Sequence, residues 1–270
     1  MVSIIIPYYN HGKFIKETLE SILSQNFSNL EVIIINDGST DEFSLAVLGK
    51  INHPKVFIYH TDNKGVCHAR NYGVSLAKGN YLLFLDADDK IANEYISEAY
   101  SILKANSNIK AVSGKVKLFG EKSGYMNLPK FSLEKLIARN ILIISCLIRK
   151  EDFEASGGFN PIMKEGFEDW DFWLSFFENG GDVHHLDKVV FFYRIQNISR
   201  NHTIGKQNFK KLRRQIYYNH KSLYSSLFLD PTESFEYLSI SDSKEYQMGI
   251  LFSSPLKKML NFYRRIKRSF

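Results

Sequence analysis

The amino-acid sequence predicts an α/β fold: a mostly parallel sheet flanked by helices, with a helical C-terminal extension. Three observations predict it. Apolar runs alternate with amphipathic helical stretches over residues 2–105. The runs are rich in Val and Ile and lack polar alternation, the mark of strands buried on both sheet faces. From Ile204 onward the pattern becomes helical and basic.

In chain order, residues 2–6 form the first expected strand. Ile15, Leu19, Ile22 and Leu23 then recur at helical spacing. Residues 30–35 are a second strand, after which Asp41 is suited to cap a helix carrying Leu45, Leu48 and Ile51. Residues 56–59 are a third strand, followed by a helical face of Val66, Ala69, Gly73 and Leu76. Residues 81–85 are a fourth, and Asn93 is expected to cap a helix with Ile96, Ala99, Tyr100 and Leu103. Beyond these, strands are expected over residues 111–119, 141–148 and 189–193, and helices over 133–138 and 170–178. The expected organisation is a domain over residues 1–203, with halves 1–108 and 109–203, and an extension over 204–270 punctuated by Pro231 and Pro255. No internal repeat or low-complexity stretch interrupts it.

Composition bounds the function. The chain has 270 residues, 44% hydrophobic and 24% charged, which excludes wholesale disorder. Its net charge of +6 equals the six cations of residues 255–270 (Lys257, Lys258, Arg264, Arg265, Lys267 and Arg268), a segment with no acid. A basic tail on a neutral body argues against a nucleic-acid groove along the fold and suggests a local anionic partner. Leu256, Met259, Leu260, Tyr263 and Ile266 give that tail an apolar helical face. It could lie on an anionic membrane or be a solvated terminal helix. Cys67 and Cys146 form no disulfide framework and fit a reducing compartment. The N-terminus has no signal-peptide pattern and the longest apolar run is too short to span a bilayer. The expectation is a cytoplasmic protein, with peripheral attachment at the inner membrane face left open.

The polar residues are concentrated where the expected strands end. The four strands run into Pro7-Tyr8-Tyr9-Asn10, Asn36-Asp37-Gly38-Ser39-Thr40-Asp41, Asp62-Asn63-Lys64-Gly65 and Asp86-Ala87-Asp88-Asp89. Ligands bind outside the carboxyl ends of parallel strands, so four clusters on one edge point to a single site. Turns and helix caps favour the same residues and are the competing explanation. Three carboxylates in four residues need compensation, and a hard divalent cation supplies it through oxygen ligands and substrate phosphates. Arg70 follows the third cluster and suits phosphate oxygens or a surface ion pair. Glu165-Gly166-Phe167-Glu168-Asp169-Trp170-Asp171 interleaves acids with aromatics, a setting that raises a carboxylate toward the range of a general base. Acids favoured at a helix start explain it equally. Gly157-Gly158-Phe159-Asn160-Pro161 reads as a tight loop close to ligand or backbone. His184 and His185 have no triad spacing and are read as structural. The sequons at Asn197 and Asn201 carry meaning only in a secreted chain.

Together, from Val2 to Ser199, these blocks resemble the family 2 glycosyltransferases, whose GT-A fold is Rossmann-like. The resemblance implies an inverting transfer from a nucleoside-diphosphate sugar to a hydroxyl of a glycan or lipid-linked acceptor, in cell-surface polysaccharide synthesis. It implies a UDP-sugar donor, with thymine left open as the base, and Mn²⁺ or Mg²⁺ as cofactor. By position, Tyr9 would stack on the base and Asp37 and Asp62 would hold it. Pro7, Asn10, Gly38, Asn63 and Gly65 complete the nucleotide loops, and Arg70 would contact the diphosphate. Asp86 and Asp88 would bind ribose and metal, with Asp89 a further metal ligand. Asp169 would be the catalytic base supported by Glu168, and Gly157, Gly158, Phe159 and Trp170 would belong to the acceptor or sugar pocket. One departure stands out: Gln196 occupies the position where many relatives carry a histidine near the metal or diphosphate. A non-catalytic nucleotide-sugar-binding module and a sugar-1-phosphate nucleotidyltransferase are the alternatives. The second usually shows a Gly-rich basic loop near its N-terminus, which this sequence lacks.

Overall fold

The computed structural model describes residues 1–196, 206–227, 232, 234–253 and 255. Nine strands form one sheet among these residues, in the order β3-β2-β1-β4-β8-β6-β9-β5, with β7 paired to β6. The strands are β1 (Val2–Tyr8), β2 (Leu30–Asp37), β3 (Val56–Thr61), β4 (Tyr81–Phe84), β5 (Lys90–Ile91), β6 (Ile109–Gly120), β7 (Gly124–Met126), β8 (Leu147–Arg149) and β9 (Asp182–Ile195). β1 pairs in parallel with both β2 and β4, β2 pairs in parallel with β3, and β6 pairs in parallel with β9. β8 joins the two halves by running antiparallel to both β4 and β6.

The unbroken apolar runs give the central strands their place. Ile4, Ile5, Ile6, Val32, Ile34 and Ile35 are inaccessible to solvent, whereas β3 at the sheet edge is only half-buried. Pro7 lies past the last residue that β4 pairs, Ile5, so its missing N–H breaks no ladder bond on that side.

Helices α1 (Ile15–Leu23), α2 (Glu42–Leu48), α3 (Val66–Leu76) and α4 (Tyr95–Ala105) cover the first half. Asp41 caps α2 as expected, its side chain accepting from the Ser44 N–H at 2.8 Å. α3 lies close on β1 because Gly73 has no side chain; a Cβ there would come within 2.5 Å of Ile5 Cγ2. α1 buries Thr18 in place of the expected Leu23, because the Thr18 hydroxyl donates to the Ala87 carbonyl at 3.0 Å.

Two further expectations are corrected. Asn93 does not cap α4; its side chain instead accepts from the Ser24 hydroxyl, and Glu94 starts the helix. The apolar run over residues 141–148 is buried, but only its end becomes β8. The Tyr95 hydroxyl lies 2.7 Å from the Val112 carbonyl and 3.0 Å from the Ser145 carbonyl, and it accepts from the Leu147 N–H. A side chain thus takes the place of ladder partners, and burial without periodicity cannot distinguish the two outcomes.

The second half adds α5 (Leu133–Ala138), α6 (Lys150–Ala155) and α7 (Glu168–Phe177), then α8 (Lys206–Asn219), α9 (Lys221–Leu227) and α10 (Phe235–Ser241). Leu212 and Ile216 of α8 and Leu223 of α9 are buried in the main core. Among the described residues no helix is long and apolar enough to cross a membrane. The tail over residues 256–270, the sequons and His202 lie outside the described residues.

Burial of each of these three side chains contributes about 2 kcal/mol. A chain ending at residue 203 is therefore expected to unfold at a thermal midpoint well below that of the full chain, as read by differential scanning calorimetry.

Candidate active site

The loops at the carboxyl ends of β1, β2 and β3 are tied to one another. Asn10, in the left-handed region at φ 57°, accepts through Oδ1 from the N–H groups of Thr40 and Asp41 at 2.9 and 3.0 Å. Its own N–H donates to the Ser39 hydroxyl. Asp37, at the end of β2, accepts from the N–H groups of Lys64 and Gly65 at 2.9 and 2.8 Å. Gly38 makes that approach possible, because a Cβ would lie 2.6 Å from the Asn63 nitrogen. Tyr9 is 42% exposed and Asp62 and Asn63 are exposed, so this edge presents an aromatic face and polar groups to solvent.

The acidic cluster after β4 divides into two parts. Asp86 Oδ1 pairs with Arg70 Nη2 at 2.9 Å. Asp88 Oδ2 accepts from Gln196 Nε2 at 2.6 Å. Burial, then the charge of Asp86, raises the Asp88 pKa from its ordinary value. Asp89 points inward instead. It is 2% exposed, Oδ1 accepts from the Arg194 N–H at 2.8 Å, and burial pushes its pKa well up. Asp89, expected as a further metal ligand, is here closed off from solvent and engaged by backbone, where it serves the loop. Arg194 completes the fastening, donating to the Asp88 carbonyl at 2.7 Å and pairing with Glu17 at 3.0 Å.

The second acidic cluster opens α7. Phe167, just before it, sits at φ 60° and ψ 19°, a left-handed conformation that costs a non-glycine residue roughly 1–2 kcal/mol. Glu168 Oε1 meets Arg70 Nη1 at 3.4 Å. Asp169 accepts from Asn140 Nδ2 at 2.8 Å and from the Trp170 N–H at 2.8 Å. Burial, then the Glu168 charge, raises its pKa to about 7.

Arg70 links the two clusters. Its side chain is 3% exposed, beneath Asp86 and Glu168, with its guanidinium 5.1 Å from the Phe159 ring centroid. Burial alone would lower its pKa, but Asp86 and Glu168 more than offset that and hold it raised. The guanidinium, expected at a diphosphate, is enclosed here by its two carboxylates, and it orients them.

The expected pocket residues lie at different depths. Phe159 is 1% exposed and packs on Phe84, Phe153 and Phe172. Its backbone is clamped by the Asn71 side chain, at 2.7 and 2.9 Å. Gly158 lies against that same side chain, whereas Gly157 faces open space. Trp170 is 3% exposed, and its indole N–H donates to the Leu136 carbonyl. Phe159 and Trp170 support the site from the core. Asn140 escaped the sequence analysis because it lies in a stretch without a motif; its place opposite Asp169 comes from tertiary packing.

Among the described residues no group of three or more His, Cys, Asp or Glu side chains is arranged to hold a metal ion. The residues present still fit a cation held by two carboxylates, Asp86 and Asp88, each with one oxygen outside the hydrogen bonds above. Mg²⁺ and Mn²⁺ accept such a set when substrate phosphates complete it.

A mostly parallel sheet with a polar carboxyl edge, a carboxylate pair and a half-buried acid defines an α/β protein with one candidate site. Residues 3–170 match the model of glycosyl transferase family 2, and the chain belongs to that family. It is 33% identical over 150 residues to "Glycosyltransferase GlyG" of Streptococcus pneumoniae, covering 53% of this chain and 49% of that one. It is 35% identical over 198 residues to "Chondroitin synthase" of Pasteurella multocida, covering 71% of this chain and 20% of that one. The chain thus spans about half or less of the length of these two relatives. Its fold is similar to Staphylococcus aureus TarS 1–349 in complex with UDP-GlcNAc, with a TM-score of 0.69 at 22% identity, covering 91% of this chain and 77% of that one. The likeness bears out the α/β, GT-A reading of the fold.

The raised pKa of Asp169 gives a pH test. An unfolded aspartate titrates near about 4. Folded Asp169 holds its proton up to about 7. The folded state binds more protons in that window, so stability is present below it and falls as pH rises through it. Asp169→Asn is expected to raise the thermal midpoint at pH 8, with the gain shrinking as pH falls from 7 toward 4.

Proposed function

We propose that the chain is an inverting glycosyltransferase that moves a sugar from a UDP-sugar to a hydroxyl of a glycan or lipid-linked acceptor in cell-surface polysaccharide synthesis. One observation carries this reading: Arg70 joins Asp86, in the carboxylate pair at the end of β4, to Glu168 beside the half-buried Asp169. A donor-charge site and a candidate base are thus held on either side of one buried cation.

In this reading Tyr9 stacks on the base. Asp37 fixes the loop through Lys64 and Gly65, and Asp62 and Asn63 border the nucleotide from that loop. Pro7, Asn10 and Gly38 shape the same edge. Asp86 and Asp88 hold the divalent cation, Mn²⁺ or Mg²⁺. When bound, that cation offsets the charge that develops on the departing diphosphate. Asp169 takes the proton from the acceptor hydroxyl, which a pKa near 7 suits at neutral pH. Glu168 raises that pKa and Asn140 aims the carboxylate. A single base on the face opposite the leaving group gives inversion at the anomeric carbon.

A specific observation favours a second reading, a module that binds nucleotide sugar without turnover. Gln196 donates to Asp88, at the position where the family resemblance leads one to expect a histidine.

A thermal-shift screen of UDP-, dTDP- and GDP-sugars with Mn²⁺, Mg²⁺ or EDTA separates the two. Metal-dependent stabilisation by a UDP-sugar and slow UDP release are expected; stabilisation without release supports the module. Asp169→Asn is expected to lower transfer by about 10²–10⁴-fold while calorimetry with the UDP-sugar shows binding retained. Full activity in that variant contradicts the base.

A further inference from the structure

Helix α8 touches the segment over residues 163–171 at five places. Phe209 meets the Phe167 ring edge-on at 5.4 Å between centroids. Lys211 pairs with Glu165 at 2.9 Å. The Arg213 guanidinium lies 5.4 Å from the Trp170 ring centroid. Asn219 Nδ2 donates to Asp171 Oδ1 at 2.6 Å and lies 3.6 Å from the Met163 sulfur. Between α8 and α9, His220 Nε2 reaches the same Asp171 oxygen at 3.1 Å. Asp171 and His220 are 2% and 4% exposed.

Asp171 and Asp169 lie on nearly opposite faces of α7, since two residues turn a helix through about 200°. One face is held by Asn140 at Asp169. The other is held by Asn219 and His220 at Asp171. Trp170, between them, is held by the Leu136 carbonyl and covered by Arg213. Three successive residues are therefore pinned from three directions, just after the left-handed Phe167. This arrangement fixes the rotation of the helix about its own axis. A buried carboxylate with two donors has only one low-energy orientation, because turning it away leaves it unpaired and desolvated.

We infer that Asp171, Asn219 and His220 are positioning residues: the C-terminal helices brace α7 so that Asp169 faces the reacting hydroxyl. The inference rests on Asp169 being the base. It assigns to the region after residue 203 a part in the reaction that the sequence motifs, which end before it, do not carry.

The test uses the full chain with Mn²⁺. Donor binding is measured by calorimetry with UDP. Turnover is read as UDP release from UDP-glucose, UDP-galactose and UDP-N-acetylglucosamine, following whichever the unaltered chain hydrolyses fastest. Asn219→Ala leaves His220 on Asp171, so the buried carboxylate keeps a partner and the fold. Its kcat is expected to fall about ten-fold or more, as misplacement of a reacting group by an ångström does, with UDP affinity within two-fold of the unaltered chain. His220→Ala is expected to do the same, and His220→Gln, which keeps a donor near Nε2, to recover most of the loss. Unchanged kcat in Asn219→Ala and His220→Ala overturns the brace. So does a loss in which kcat and UDP affinity fall together in proportion to the folded fraction. Asp169→Asn is the control: if it turns over normally, the assignment of the base has failed, whereas an inactive Asp169→Asn beside a fully active His220→Ala defeats the brace alone.

Discussion

The buried guanidinium of Arg70 is the constraint on which the site depends. Its side chain is 3% exposed, and its two partners are 39% and 15% exposed. A cation so enclosed is tolerable only while both carboxylates stay in place, since removing one partner of a buried pair typically costs about 3–5 kcal/mol. Conversely, Asp86, Glu168 and Asp169 would repel one another without it. Asp86 follows β4 and Glu168 opens α7, so a single side chain from α3 couples the sheet edge to the acid-bearing helix. The aromatic floor below it, Phe159 on Phe84 and Phe172, excludes water and keeps the interaction strong.

The same economy governs the loops. Residues with the chemistry to bind a ligand are also the residues that fix the backbone. Asp37 spends both oxygens on the start of α3, and Asn10 spends its amide oxygen on the loop after β2. Polar clusters at strand ends thus serve as caps, and in the proposed reading they serve as a ligand edge as well. In the proposed reading these bonds order the edge ahead of the nucleotide, which lowers the ordering cost of binding.

What the sequence made legible follows from range. The alternation of strands and helices over residues 2–105 is a local pattern, and the cap at Asp41 spans three residues. Both were readable. The acid pair at Glu168 and Asp169 and the carboxylates after β4 were readable as motifs, because residue type and order carry them. The inward turn of Asp89 was not, because its partner is the Arg194 N–H, 105 residues away. Nor was the burial of Phe159, clamped by Asn71 across 88 residues, or the pairing of Asp171 with His220 across 49. Each is set by packing of distant segments, where burial decides the direction a side chain takes. The stretch over residues 141–148 failed for another reason: a hydroxyl from Tyr95 supplants the ladder, and no periodicity announces that.

The most direct measurement is the affinity of Arg70→Met for UDP with Mn²⁺, by calorimetry, beside Arg70→Lys. If Arg70 aligns Asp86 from beneath, both variants fold and bind UDP at least about ten-fold more weakly, the worth of one charge-assisted hydrogen bond. Lysine fails with methionine because a single ammonium cannot span both carboxylates as the guanidinium fork does. Unaltered UDP affinity in Arg70→Met would contradict the claim that this cation organises the site.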